Sequence, residues 1–154
     1  MNTQFLTNDG QQQARSQLEY LRTVKRAEVS RYLREAMEAG GVIRNAAFED
    51  ARFEQTRLEA RIAELEQLLA TAQVIDRNQV PTEAISLGSI VHLATSDGRT
   101  YRYTIVGSYE ADPAAGLISN ESPVGKALLG RKAGDQVLVA TPGGVKAYTI
   151  LGIE

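Results

Sequence analysis

The stretch ARFEQTRLEARIAELEQLLATA, residues 51–72, decides the fold of the first half of the chain. Ala51, Gln55, Leu58, Ile62, Leu65, Leu69 and Ala72 follow one another at spacings of 4-3-4-3-4-3. That is a heptad seam over about three repeats, with Arg, Glu and Gln on the remaining faces. A helix so patterned needs a partner along its apolar edge. Upstream, Leu18, Leu21, Val29, Leu33 and Ala36 lie near one stripe of a second helix, and Thr7-Asn8-Asp9 supplies its start signal. Two such helices joined by a short link pack antiparallel as an αα-hairpin. At 1.5 Å per residue, 25 residues make a finger about 40 Å long.

The link itself reads EAGGVIRNAAFEDA, residues 38–51, and holds no carboxylate between Glu38 and Glu49. Gly40 and Gly41 suit the C-terminal cap of the first helix, because glycine enters the left-handed region cheaply. Asn45 suits the N-cap of the second. Glu49 and Asp50 then complement the dipole in its early turns.

The second half is written differently. Residues 81–154 contain all four prolines and ten of the thirteen glycines. Ser89–Ala94 and Thr100–Val106 alternate with period two around Ser96-Asp97-Gly98-Arg99, which predicts a hairpin. Gln136–Thr141 and Val145–Leu151 do the same around Pro142-Gly143-Gly144. Between the hairpins, Ser122 followed by Pro123 predicts an N-cap and a proline at the first helical position, with the helix ending at Gly130. The fold class is therefore α+β. Residues 1–76 form the finger, 77–81 a linker able to hinge, and 82–154 a small antiparallel sheet domain with one short helix.

Composition excludes several chemistries. The net charge is −2, which argues against a protein that coats nucleic acid. Without cysteine there are no disulfides, thiol nucleophiles or zinc–thiolate sites. No apolar run approaches the roughly 20 residues of a membrane span, and the N-terminus has no leader pattern. A cytoplasmic, membrane-free monomer is the expectation. His92, the only histidine, alternates with Val91 and Leu93 and so sits on the opposite strand face. It reads as a solvent-facing strand residue, and one histidine makes no Ser-His-Asp arrangement. Pro142-Gly143-Gly144 lacks the Lys-Ser/Thr of a phosphate loop and reads as a turn. Arg15, Arg22, Lys25 and Arg26 fit either a solvated face with Glu19 and Glu28 or a contact to an RNA backbone. A finger serves either as a packing device or as a probe into another molecule; periodicity leaves both open.

The chain resembles the bacterial Gre transcript-cleavage factors of the GreA type, over nearly its whole length. Leu6-Thr7…Gly10…Leu18-Glu19…Leu21 is similar to the family's LTxxGxxxLxxELxxL. Asn45-Ala46…Phe48…Ala51-Arg52…Gln55 is similar to NAxYxAAxxxQ, with Phe for Tyr. Arg61-Ile62…Leu65-Glu66 and Ala72-Gln73-Val74-Ile75-Asp76 resemble RIxxLE and AxVID. Tyr103-Thr104-Ile105-Val106-Gly107, Glu110-Ala111-Asp112, Leu117-Ile118-Ser119, Ser122-Pro123, Leu128…Gly130 and Thr141-Pro142-Gly143-Gly144 resemble YxIVGxxEAD…IS…SPxxxxLxG…TPGG.

The resemblance implies an antiparallel coiled-coil finger followed by an FKBP-like domain, a likeness of fold that carries no isomerase activity. It implies docking of the second domain at the rim of the RNA polymerase secondary channel, through Asn120-Glu121-Ser122-Pro123 and the helix that follows. The finger then descends toward the polymerase active centre and the 3′ end of the nascent RNA. In the family two tip acids help hold a catalytic Mg²⁺, which takes oxygen ligands, and the polymerase hydrolyses its own backtracked RNA by two-metal chemistry. The family tip reads GDLxEN. Here it is Gly40-Gly41-Val42-Ile43-Arg44-Asn45, so Gly41 replaces the aspartate and Arg44 the glutamate. At about 4 Å and an effective dielectric of about 20, an arginine beside a divalent ion is disfavoured by at most about 8 kcal/mol. A charge-assisted hydrogen bond returns about 1.5–3 kcal/mol.

The implied function is a channel-binding elongation factor with weak or no stimulation of cleavage. It is not an enzyme itself and binds no cofactor; Mg²⁺ would be the polymerase's own, and only where cleavage is stimulated. Two other readings stand beside it. One is a fully active cleavage factor that recruits Glu38, Glu49 or Asp50 to the tip. The other is a dimerisation paralogue that does not bind polymerase.

Overall fold

The computed structural model describes residues 3–39 and 41–154, with the side chains of 41–44 outside the description. It is a mixed α+β structure that divides into two compact units. One is Gln12–Thr71. The other joins the residues up to Gln11 with Ala72–Glu154.

The helical unit is the hairpin that the heptads demand. Its first arm is α1, Asn8–Tyr20, which runs through a π-helical turn at Leu21–Lys25 into α2, Arg26–Glu38. Its second arm is α3, Gly41–Thr71. Arg22 meets Glu66, Arg26 meets Glu59 and Tyr32 meets Asp50. One number rises as the other falls, so the arms are antiparallel. Ala51, Leu58, Ile62 and Leu65 of the seam are buried, as are Ala14, Leu18, Leu21 and Ala36 opposite. Gln55, the polar member of the seam, is exposed. Burying one such aliphatic side chain stabilises by about 1.5–3 kcal/mol.

The bend differs from the sequence expectation in one respect. Helix α3 begins at Gly41, four residues before the expected cap at Asn45, and Ala39 rather than a glycine is the C-cap of α2. Ala39 leaves the helix in an ordinary extended conformation (φ −71°, ψ 156°), so no left-handed residue is needed at that position. Gly41 is accordingly a helix opener, while the expected cap at Gly40 lies outside the described residues.

The second unit carries a two-stranded parallel ribbon, β1 (Phe5–Thr7) with β2 (Gln73–Ile75). Its main sheet comprises β3 (Ile90–Thr95), β4 (Thr100–Val106), β5 (Leu117–Ser119), β6 (Gln136–Thr141) and β7 (Gly144–Ile153), in the order β5-β4-β3-β7-β6. Both predicted hairpins are present, β3–β4 and β6–β7. The sheet is not wholly antiparallel, because β5 joins the edge parallel to β4. Val91, Leu93, Val137, Val139 and Ile150 point inward and, with Leu128 of helix α4 (Pro123–Leu128), make the core. The intervening residues His92, Leu138 and Ala140 fall on the other face, as period two requires. The expected linker is a short 3₁₀ turn at Arg77–Gln79, opened by the Asp76 carboxylate accepting the Asn78 N–H at 3.0 Å.

Candidate functional site: the bend, the 119–123 loop and the basic stripe

The bend comes first because its residues set the chemistry. Gly41, Val42, Ile43 and Arg44 form the first turn of α3, and that turn contains no acid. Asn45 follows in the second turn and is exposed. Glu49 lies eight residues into the helix, about 12 Å along its axis from Gly41. Asp50 is occupied: it accepts the Tyr32 hydroxyl at 2.7 Å, which raises the phenol's pKa above its ordinary value. Because the helix starts early, Glu49 and Asp50 lie beyond its first turn and lose the dipole-complementing position expected for them. Among the described residues no three histidine, aspartate or glutamate side chains gather as a metal site.

The loop 119–123 is fixed by its own hydrogen bonds. Ser122 caps α4, its hydroxyl accepting the Gly125 N–H at 3.1 Å and donating to the Ser119 carbonyl at 2.7 Å. Pro123 occupies the first helical turn, where its missing N–H costs nothing, and is exposed. The Glu121 N–H donates to Ser119 Oγ at 3.1 Å, and Ser108 Oγ donates to the Glu121 carboxylate at 2.9 Å. Gly125 is required where it stands. A Cβ there would lie 2.0 Å from the Ser119 carbonyl oxygen, so a side chain would push the loop off the helix. Beside the loop is a small recess of about 110 Å³, lined by Thr3, Gln4, Phe5, Gly107, Ser108, Asn120 and Glu121. Glu121 and Pro123 thus face solvent from a rigid frame, while Asn120 and Ser122 are half-buried.

The basic stripe is largely spoken for. Arg22 binds Glu66 at 2.7 Å, and Lys25 approaches Glu28 at 3.4 Å. Arg26 makes a two-pronged contact with Glu59, both bonds at 2.9 Å. That contact lowers the Glu59 pKa and raises that of Arg26. Arg15 is exposed on α1. His92 lies on the outer sheet face, its Nε2 3.5 Å from the Glu154 carboxylate.

One constellation was not singled out in the sequence. Glu110 accepts the Thr7 N–H at 2.7 Å and the Thr7 hydroxyl, while Thr7 Oγ1 accepts the Gly10 N–H at 3.1 Å. The start of α1 is therefore capped twice, once by Thr7 and once by a carboxylate 103 residues later. The Thr7-to-Gly10 spacing reveals the local cap; nothing local reveals Glu110.

Comparison with known proteins covers both halves of the chain. Residues 4–74 match the family model described as "Transcription elongation factor, N-terminal". Residues 80–154 match "Transcription elongation factor, GreA/GreB, C-term". Transcription elongation factor GreA of Clostridium botulinum (strain Hall) is 42% identical over 150 residues, spanning 97% of this chain and 94% of that protein. GreA of Clostridium perfringens (strain SM101) is 41% identical over 151 residues, spanning 97% and 96%. Among solved structures, GreA factor homolog 1 of Thermus thermophilus is 33% identical, with 99% of each chain covered and a TM-score of 0.45. Two family models in the right order and full-length relatives above 40% identity lead to one conclusion: the chain is a member of the GreA/GreB transcription elongation factor family.

Proposed function

We propose that this elongation factor enters RNA polymerase through the secondary channel and modulates elongation while stimulating transcript cleavage weakly or not at all. The observation that carries this is a bend without carboxylates from Ala39 to Phe48, and the resemblance implies two acids at the positions of Gly41 and Arg44. Three features support it further. Helix α3 starts at Gly41, so Glu49 is displaced along the helix by about 12 Å. Asp50 is held by Tyr32. Removing two carboxylates takes away oxygen ligands that a magnesium ion needs, and Arg44 adds a cation that repels it.

Docking is assigned to Asn120, Glu121, Ser122 and Pro123, with α4 behind them. The hydrogen bonds within this loop support the assignment, since a preorganised loop loses little conformational freedom on binding. The chain acts through the polymerase active site rather than as an enzyme, brings no cofactor of its own, and works as a monomer. An RNA contact by Arg15, Arg22, Lys25 and Arg26 has less support, because three of the four are engaged by glutamates.

The test is transcript cleavage on a stalled, backtracked complex, with binding to core polymerase measured alongside. The wild type is expected to bind yet leave the RNA uncut above the polymerase's own rate. Gly41→Asp combined with Arg44→Glu is expected to restore cutting without changing affinity. Binding without gain in the paired variant would place the defect elsewhere, and absence of binding would favour a structural role.

A further inference from the structure

We propose that the π-helical turn at Leu21–Lys25 is a phase-setting insert, one residue beyond the heptad, which lets both halves of the first arm face the same edge of α3. This inference is independent of what the finger meets. On the side nearer the chain start, Ala14, Leu18 and Leu21 are spaced 4-3 and are buried. On the side nearer the bend, Val29, Leu33 and Ala36 are again spaced 4-3, with Ala36 buried and the other two half-buried. Each triplet is a proper heptad fragment, yet the two are out of step. Continuing the heptad from Leu21 places the next inward positions at Lys25 and Glu28. Both are exposed, and they pair with each other instead of with α3. The positions that turn toward α3 are one later in each case: Arg26, which grips Glu59, and Val29.

The second arm has no matching irregularity, since Ala51, Leu58, Ile62 and Leu65 keep an unbroken 7-4-3 spacing and all are buried. Against a seam that keeps the 3.5-residue heptad repeat, one extra residue turns everything beyond it by about 100° and carries the Val29 stripe out of register. A π-turn absorbs it, because its bonds span five residues instead of four. The Arg26 N–H does reach the Leu21 carbonyl, five residues back. The Thr23 hydroxyl donates to the Glu19 carbonyl at 2.7 Å, a back-bond of the kind that loosens a helix at that point. An open groove of about 420 Å³ lies beside it, between Leu21, Lys25 and Val29 on one arm and Leu58 and Arg61 on the other.

Two single-residue deletions in the full chain separate this from an incidental kink. Val24 is 44% exposed and lies within the turn. Its removal would make the stripe Ala14, Leu18, Leu21, Arg26, Val29, Leu33, Ala36 run 4-3-4-3-4-3. Thr56 is equally a surface residue, but lies in the regular arm, where removal shortens the Ala51-to-Leu58 step from seven to six. Hydrogen exchange of the amides of 29–36 and 58–65 is the readout. Deleting Val24 is expected to keep their protection within about threefold of wild type and to raise it at 22–26. Deleting Thr56 is expected to lower protection in both windows by more than about tenfold. Loss of protection in the Val24 deletion to the level of the Thr56 deletion would overturn the proposal. So would equal tolerance of both.

Discussion

At Gly125 the absence of a single side chain decides whether the 119–123 loop can lie on α4. The Ser119 carbonyl occupies the space a Cβ would need, 2.0 Å away, and backbone does not yield as a flexible side chain would. Gly125→Ala is therefore expected to destabilise the protein by about 1–3 kcal/mol, read as a lowered urea midpoint, and to weaken polymerase binding through the displaced loop. An unchanged midpoint would show that the loop moves freely. Gly10 stands in the same relation to Glu110, whose carboxylate fills its Cβ space. There the obstacle is itself a cap, so Gly10→Ala trades one helix-start bond against a clash. Neither constraint was legible in the sequence. The approach of Gly125 to the Ser119 carbonyl depends on backbone geometry rather than residue type, and Glu110 lies far along the chain from Gly10, whereas the Ser122-Pro123 cap was readable because its residue types mark it.

At the scale of elements, the heptad of α3 was visible from Ala51 to Leu65, where the buried residues recur in step, although Gln55 is exposed and Ala72 falls just after the helix ends. The two hairpins and α4 were visible for the same reason: alternation and turn residues are local. The three-residue strands β1, β2 and β5 were not, because they are too short to show a period and depend on partners elsewhere. Nor was the start of α3 at Gly41, where glycine and asparagine suggested a cap and the helix ran through them. The π-turn was not legible either: Leu21 and Val29 read as members of one stripe, and an eight-residue step between them does not say whether a helix kinks, breaks or inserts. The contact between the arms also carries a pH signature. The hydrogen bond from Arg26 holds Glu59 below the ordinary carboxylate range. A group depressed in the folded state stabilises fully above its unfolded pKa and loses that contribution as pH falls through the folded value. A double-mutant cycle of Arg26→Ala and Glu59→Ala is thus expected to show coupling at neutral pH that disappears below the normal titration of a glutamate. Coupling that persists in acid would mean packing, not charge, joins the pair.

For the whole molecule, family membership follows from matches to both halves, and no described helix is long and apolar enough to cross a membrane. The first turn of α3 contains no acid, and the proposed function rests on that bend. A net charge of −2 and a basic stripe mostly neutralised by glutamates give little electrostatic reason to bind nucleic acid broadly. Polymerase affinity is accordingly expected to depend on the 119–123 loop more than on salt-sensitive contacts along α1 and α2. Glu121→Ala with Pro123→Ala should weaken binding by more than about tenfold, since a few preorganised residues dominate a typical interface. Equal weakening by Arg15→Ala with Arg22→Ala would transfer the role to the finger's flank.

The most direct measurement remains the fate of RNA in a halted, backtracked polymerase given saturating amounts of this protein. Intrinsic cutting should stay at its unassisted rate with the natural chain and rise once aspartate and glutamate are placed at 41 and 44. Vigorous cutting by the natural chain would contradict the account, because the ion would then be held without the acids the bend lacks.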